Sequence, residues 1–278
     1  MITKKDARTY LRRWRLADEA LAAALRRTPI KEKLHQMDAC YRMAVGLRLL
    51  RKLTAAKRKN EKEVSLRWRR LKGLAIKPDH LASLLPALRA LCRLLKKSKT
   101  KGMVIGGVAA SLLGQPRMTA DIDAAVLLDD DSIGPFLDQA LAHGLSPRIT
   151  NPSAFARRSA MLLLKHHESG TPVDVAQSRL PFEQEAIARA RQLDVGGFSV
   201  PLPTPEDLII MKAIAHRPQD IEDIRGIVLC QPKLNVGRIR KEVTAFAHAL
   251  DMPDLWNDIA SLFVDKSKKK KSKRSEKK

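Results

Sequence analysis

The charge of this chain is concentrated at its two ends, and that limits which part can close around a core. Residues 1–73 hold 22 Lys and Arg against 7 Asp and Glu, and residues 265–278 hold 9 against 2. The 191 residues between them hold 22 against 21, so they carry almost none of the net +23. A near-neutral middle can bury apolar surface without bringing like charges together, whereas two basic arms imply a polyanionic partner. The 44% of hydrophobic residues suffices for a core, and with only 4% aromatics aliphatic side chains must fill it. No apolar run is long enough to span a bilayer, so no membrane partner is expected. The opening MITKKDARTYLRRWRL lacks the apolar stretch of a secretory signal, and the cytoplasm is the expected location. Cys40, Cys92 and Cys230 are too far apart for a metal motif and are read as buried apolar residues.

Residues 1–73 read as helices. Leu11, Trp14, Ala17, Leu21 and Leu25 form a stripe over Asp6–Arg27, with Arg12, Arg13 and Arg15 largely off it. Thr28-Pro29 stops that helix; further helices are expected over 30–53 and 61–71, with a boundary at Gly73–Pro78. Beyond it come a Leu-rich helix at His80–Lys97, a strand at Met103–Ile105 and a short helix at Val108–Leu113. A strand follows at Asp121–Val126, then a helix near Ser132–His143. Ala160–His166 and Pro172–Ala176 form a hairpin. A helix at Phe182–Arg191 and an edge strand at Gly197–Pro201 come next. Helices at Pro205–Ala215, Gln219–Leu229, Val236–Leu250 and Pro253–Phe263 complete the chain. Strands followed by helices make the class α+β, a mixed sheet flanked by helices.

Three features carry chemistry. Asp121 and Asp123 lie two apart on a strand, so their side chains leave one face, opposite Ile122, Ala124 and Val126. Two carboxylates placed so can share one hard divalent cation or bridge two. Thr119 is on their face. Upstream, Gly106-Gly107 joins a strand to a helix; such a turn brings backbone close to a ligand and offers helix-end N–H groups to phosphate. Asp174, flanked by Val173 and Val175, is an acid out of place in a strand, and a neighbouring strand position would make it a third carboxylate. His166 and His167 lack ligand spacing and are assigned to the surface, and His216 to a helix C-terminus. Without further context Lys212, Asp220 and Asp223 read as solvated charges on a pair of helices.

The stretch from Val104 to Ala110, with Gly114-Gln115-Pro116-Arg117-Met118-Thr119-Ala120-Asp121-Ile122-Asp123, resembles the nucleotidyltransferase fold superfamily (the polymerase-beta-like group). It is most similar to the branch of abortive-infection, type IV toxin nucleotidyltransferases. The resemblance covers about 80–230 and implies Mg²⁺ at Asp121, Asp123 and Asp174, with an NTP as donor. It places Gly106, Gly107, Arg117, Thr119 and Lys212 around the nucleotide, with Asp220 and Asp223 on the acceptor side or organising the site. Two departures stand out: Gln219 replaces a usual Lys, and Gly107 replaces the Ser of many relatives, leaving only backbone to meet the γ-phosphate. Residues 1–73 resemble a helical segment that accompanies such enzymes.

The expected organisation is a basic helical segment (1–75), a nucleotidyltransferase core (76–203), a C-terminal helical region (204–264) and a disordered Lys-rich tail (265–278). The expected activity is Mg²⁺-dependent transfer of a nucleoside monophosphate to RNA, such as a tRNA, held by arms 1–73 and 265–278. A toxin-like or defence role with an antitoxin-like partner would suit it. The rival expectations are a small hydroxylated acceptor and a nucleic-acid-binding protein with an inactive core.

Overall fold

The computed structural model describes residues 3–27 and 79–263. The expected helices over 30–53 and 61–71, the 73–78 boundary, Cys40 and the 265–278 tail lie outside them. The first helix up to Arg13 belongs to one compact unit with the described residues from 79 onward, and Trp14–Leu74 make up a second unit.

Helix α1 spans Lys4–Arg27. Within the first unit its buried face is Ala7, Tyr10 and Arg13. The apolar periodicity put Arg13 off the packed stripe, but the residue is only 4% exposed. Three partners keep it there. The guanidinium lies 4.4 Å over the Tyr10 ring, donates to the Gln177 carbonyl at 3.1 Å, and pairs with the Glu183 carboxylate. Glu183 also accepts from the Arg179 and Leu180 backbone N–H groups at 3.2 Å, closing the first turn of a later helix. Tyr10 in turn stacks in a ring cluster with Phe246 and Phe182. Arg12, one residue away, is exposed.

From 79 the chain runs through a 3₁₀ turn at Asp79–Leu84 into α2 (Leu85–Lys97), then β1 (Gly102–Ile105) and α3 (Gly106–Leu113). Next come β2 (Ile122–Val126), α4 (Ile133–Ala142), β3 (Leu145–Pro147), α5 (Pro152–Ser159), β4 (Met161–His166) and β5 (Pro172–Gln177). The five strands form one mixed sheet in the order β1-β2-β5-β4-β3, with β2 and β5 parallel and the other neighbours antiparallel. Both faces of its central strands are buried, which explains their near-continuous apolar sequences. The fold is α+β, as expected.

Helix α6 (Pro181–Ala188) ends three residues short of the expected Arg191. Arg191 instead opens β6 (Arg191–Asp194), which pairs with β7 (Ser199–Leu202) in a separate hairpin. Gly196 and Gly197, both at positive φ, make the turn that the helical reading of Arg191 obscured. Helices α7 (Pro205–Ala215), α8 (Pro218–Cys230), α9 (Val236–Leu250) and α10 (255–263) complete the unit. Thr204 caps α7, accepting from the Asp207 N–H at 3.2 Å. Asp207, fully buried beneath that cap, pairs with Arg189 and Arg238 and so ties α7 to α6 and α9. Cys92 and Cys230 are only half-buried, a correction to the buried reading; burial still pushes the Cys92 thiol up to about 12.

Removing one member of a buried ion pair leaves the other uncompensated, so Arg13→Ala is expected to destabilise the protein by about 3 kcal/mol. Arg12→Ala, on the exposed side, is expected to stay within about 0.5 kcal/mol of the parent. Urea denaturation of the two variants checks this; equal midpoints would overturn the placement of Arg13.

Candidate active site

The site grows from one row of the sheet. Ile105, at the end of β1, pairs with Asp123 on β2, and Asp123 pairs with Asp174 on β5. Residues opposite each other on paired strands project to the same face, so the register alone brings the two carboxylates together. Asp121 immediately precedes the first residue of β2 and joins them on that face. Thus the strand begins one residue later than the sequence implied, and the three acids still converge.

The turn after Ile105 is fitted to these acids. Gly106 has φ +63, and a Cβ there would lie 1.8 Å from Asp123 Oδ2. No other residue type leaves room for the carboxylate. A Cβ at Gly107 would lie 2.5 Å from Thr119 Oγ1 and 2.9 Å from Arg117 Nη2. Both side chains therefore close on bare backbone at the start of α3, where the first N–H groups have no carbonyl one turn earlier to bond. The Thr119 hydroxyl donates to Asp121 Oδ1 at 2.8 Å.

Charge in this cluster is unbalanced. Burial, then the neighbouring Asp121 and Asp174 carboxylates, push Asp123 up to about 7; the Lys212 and Arg217 charges act in the opposite direction. Asp174 is buried and pairs with Arg148, which follows β3. Sequence reasoning missed Arg148. No motif surrounds it, and only the β3–β4 register brings it opposite Leu163 and hence beside Asp174.

A second layer of charge lies on α7 and α8. Arg117 grips Asp223 with a two-pronged contact, Nε at 2.7 Å and Nη2 at 3.1 Å. Lys212 Nζ lies 2.7 Å from Asp223 and 3.0 Å from Asp220. Asp220 also accepts from Arg217 Nε at 2.7 Å and from the Arg217 N–H at 3.2 Å. Burial alone would raise the Asp220 carboxyl, but the Arg217 hydrogen bond and the Lys212 charge outweigh it and hold the group low. These are not the solvated helix charges that the sequence alone suggested: Lys212 is 4% exposed, Asp220 1% and Asp223 7%. Lys212 lies inside this lattice, near enough for its charge to act on Asp123.

His216 closes α7 in a left-handed conformation and pairs with Asp258 at 2.9 Å. His166, assigned to the surface, is instead buried, with Nδ1 2.9 Å from the Ser169 hydroxyl. Among the described residues no group of three or more His, Cys, Asp and Glu side chains is assembled as a finished metal cage. The donor chemistry nevertheless fits a hard divalent cation. Three carboxylates supply only oxygen, and no described side chain donates a hydrogen bond to Asp123.

No protein among those with curated descriptions matches the chain. Among solved structures it is similar to an antigenic nucleotidyltransferase-like protein from Paracoccidioides brasiliensis, at 17% identity over 63% of this chain and 90% of that one (TM-score 0.41). It is also similar to the antibiotic-resistance factor ANT(2'')-Ia, at 13% over 59% and 92% (TM-score 0.42), and to the lincosamide antibiotic adenylyltransferase LnuA, at 14% over 51% and 94% (TM-score 0.36). Among the described residues no helix is long and apolar enough to cross a membrane. Residues 80–257, which contain the Gly106-Gly107 turn, the three acids and the Lys212 lattice, match the family described as Nucleotidyltransferase of unknown function (DUF6036), and the chain belongs to that family of nucleotide-transferring enzymes.

Proposed function

We propose that this enzyme transfers a nucleoside monophosphate from an NTP to RNA in a metal-dependent reaction centred on Asp121, Asp123 and Asp174. The observation that carries this reading is the raised pKa of Asp123 among two further carboxylates, against a turn whose glycines admit close approach of a ligand. An acidic cluster beside such a turn is suited to a cation-bound polyphosphate.

Bound Mg²⁺ would neutralise the triphosphate and fix its geometry against the acids. The chain supplies the rest. The backbone N–H groups at Gly106 and Gly107 meet phosphate oxygens, and Arg117 and Thr119 hold that turn in shape. The lattice of Arg117, Lys212 and Arg217 with Asp220 and Asp223 has one more cation than anion and lends positive potential to the site. The acceptor hydroxyl oxygen bonds to the α-phosphorus as the bond to pyrophosphate breaks. Asp174 orients that hydroxyl and takes its proton, which requires Arg148 to release it; Arg148 then faces the developing negative charge. The basic arms, 1–73 with +15 and 265–278 with +7, supply the attraction to RNA. A toxin-like or defence role, with an antitoxin-like partner, is consistent with an enzyme that modifies tRNA.

Asp123→Asn is expected to lower transfer by at least about a thousandfold, by removing an electrostatic contact central to the transition state. It is also expected to raise the melting temperature of the metal-free protein. The sign follows from the pKa: a carboxyl at about 7 in the folded state, above its ordinary value, holds a proton that the unfolded chain has lost. Its contribution is therefore favourable at low pH and is lost as pH rises through 7. Melting temperature against pH, with and without Mg²⁺, should show a fall between about pH 4 and 7 in the parent, opposed by Mg²⁺, and a flatter curve in Asp123→Asn. Undiminished transfer by the variant, or identical melting curves, would sink the assignment.

Gly107→Val should cost activity more than stability, because the added carbons fill the space Thr119 and Arg117 close around. Steady-state NTP kinetics beside a melting curve decide it; unchanged kinetics would remove Gly107 from the nucleotide site.

The RNA acceptor has its own test. Truncation before Asp265, or Arg12→Glu on the exposed side of α1, should weaken RNA binding and flatten its salt dependence. Each phosphate that the protein no longer neutralises takes about 0.7–0.9 off the log–log slope. Arg13 is the wrong site for such a reversal, since it is buried against Glu183. Coincident salt curves for parent, truncation and Arg12→Glu would promote a small hydroxylated acceptor instead.

A further inference from the structure

Across the sheet from the three acids lies a cavity of about 620 Å³. Its position follows from the pleat. Leu163 of β4 shares a row with Asp174, and His166 is three residues further along the same strand, so its side chain leaves the other face. His166 pairs with Leu145 of β3, and beneath this pair the cavity opens between α2 and the end of α4.

Apolar residues of α2, α4 and β3 form part of its wall, and most of its polar side chains are Arg or His. Arg89 and Arg93 come from α2, His143 from the end of α4, and His166 and His167 from the end of β4; Glu168 is the one acid. Arg89 and Arg93 are one helical turn apart, a spacing at which like charges repel unless something anionic lies between them. Arg93 forms no ion pair among the described residues. Arg89 rests 4.9 Å over the Phe198 ring and reaches the Gly196 carbonyl only at 3.5 Å, so its charge is not neutralised by either contact. His166 is buried, and with Nδ1 committed to Ser169 its Nε2 is the ring atom left for a ligand. A volume of this size holds a ligand of nucleotide dimensions, and two guanidinium forks beside imidazole N–H groups match phosphate oxygens.

We propose that this cavity binds a phosphate-bearing ligand of nucleotide size, at a site separate from the acids and on the opposite face of the sheet. The proposal does not depend on which acceptor the enzyme uses. Two sources share the chemistry, a free mononucleotide and a nucleotide unit of an RNA chain, and the test separates them.

The chain has seven histidines, so their imidazole signals in the selectively labelled 278-residue chain can be assigned by single His→Gln replacements. In metal-free buffer the protein is titrated with AMP and, separately, with a short uridylate oligonucleotide. The signals of His143, His166 and His167 are expected to move and saturate. Saturation by AMP identifies a free nucleotide as a sufficient ligand, and saturation by the oligonucleotide alone identifies the RNA backbone; either supports the site. Arg93→Glu is expected to weaken binding by about tenfold or more, because a charge-assisted hydrogen bond to phosphate is removed. Arg93→Gln, which leaves no new charge, serves if the reversal lowers the melting temperature. Gly107→Val, which blocks the nucleotide turn on the other face, should leave the three signals responding as before. The proposal is overturned if neither ligand moves these signals, if both Arg93 variants bind like the parent, or if Gly107→Val abolishes the response.

Discussion

Asp123 is held between two opposing demands, and the rest of the site is arranged around that conflict. The β1–β2–β5 register places it beside Asp174, and Asp121 shares its face, so three carboxylates crowd one end of the sheet. Burial and this repulsion push Asp123 up to about 7. A protein selected only for stability would place a lysine or an apolar residue there. Instead Gly106 gives up its side chain so that the Asp123 carboxylate can lie against the turn. Local stability is sacrificed at this point, as the proposed binding of a cation and a polyphosphate would require.

The compensating charge stands one layer back. Arg117, Lys212 and Arg217 surround Asp220 and Asp223, three cations to two anions, and the surplus lies close enough to act on Asp123. Buried ion networks add little stability relative to apolar packing, but they fix geometry, because each member left unpaired is expensive. Here the fixed geometry has a clear object. Arg117 spans the segment between α3 and β2 and reaches α8, so the Gly107 turn, Thr119 and the helices carrying Lys212 and Asp223 are tied into one unit. Arg148 performs the matching task for Asp174, from the far edge of the sheet.

Much of this was legible in the residues. Asp121-x-Asp123 and Gly106-Gly107 declare themselves because both rest on local rules, alternation along a strand and the steric freedom of glycine. Asp174 could be flagged because an acid between valines contradicts strand preference. What escaped depends on partners far along the chain. Arg13 reads as a surface charge until Glu183, 170 residues away, buries it. The Lys212 lattice reads as solvated for the same reason, since Arg117 and Asp223 are 106 residues apart. Arg148 carries no local signature whatever. The helix that ended before Arg191 and the half-buried Cys92 show the same limit: helix ends and partial burial are set by what packs against them, and periodicity does not contain that information.

The pleat of β4 carries this separation of charge to its conclusion. A strand sends alternate side chains to opposite faces, so a shift of one residue exchanges one chemical environment for the other. On one face Leu163 flanks the acids; on the other His166 helps line the basic cavity. The β3–β4 pair serves both, since Arg148, just after β3, reaches Asp174, while Leu145, at its start, pairs with His166. A change in the pairing of these two strands would therefore reach both faces at once, withdrawing Arg148 from Asp174 and reshaping the cavity around His166. Because β3 is short and lies at the sheet edge, it holds that register through only three residue pairs, together with the Arg148 N–H donated to Leu163 and the His167 N–H donated to Gly144.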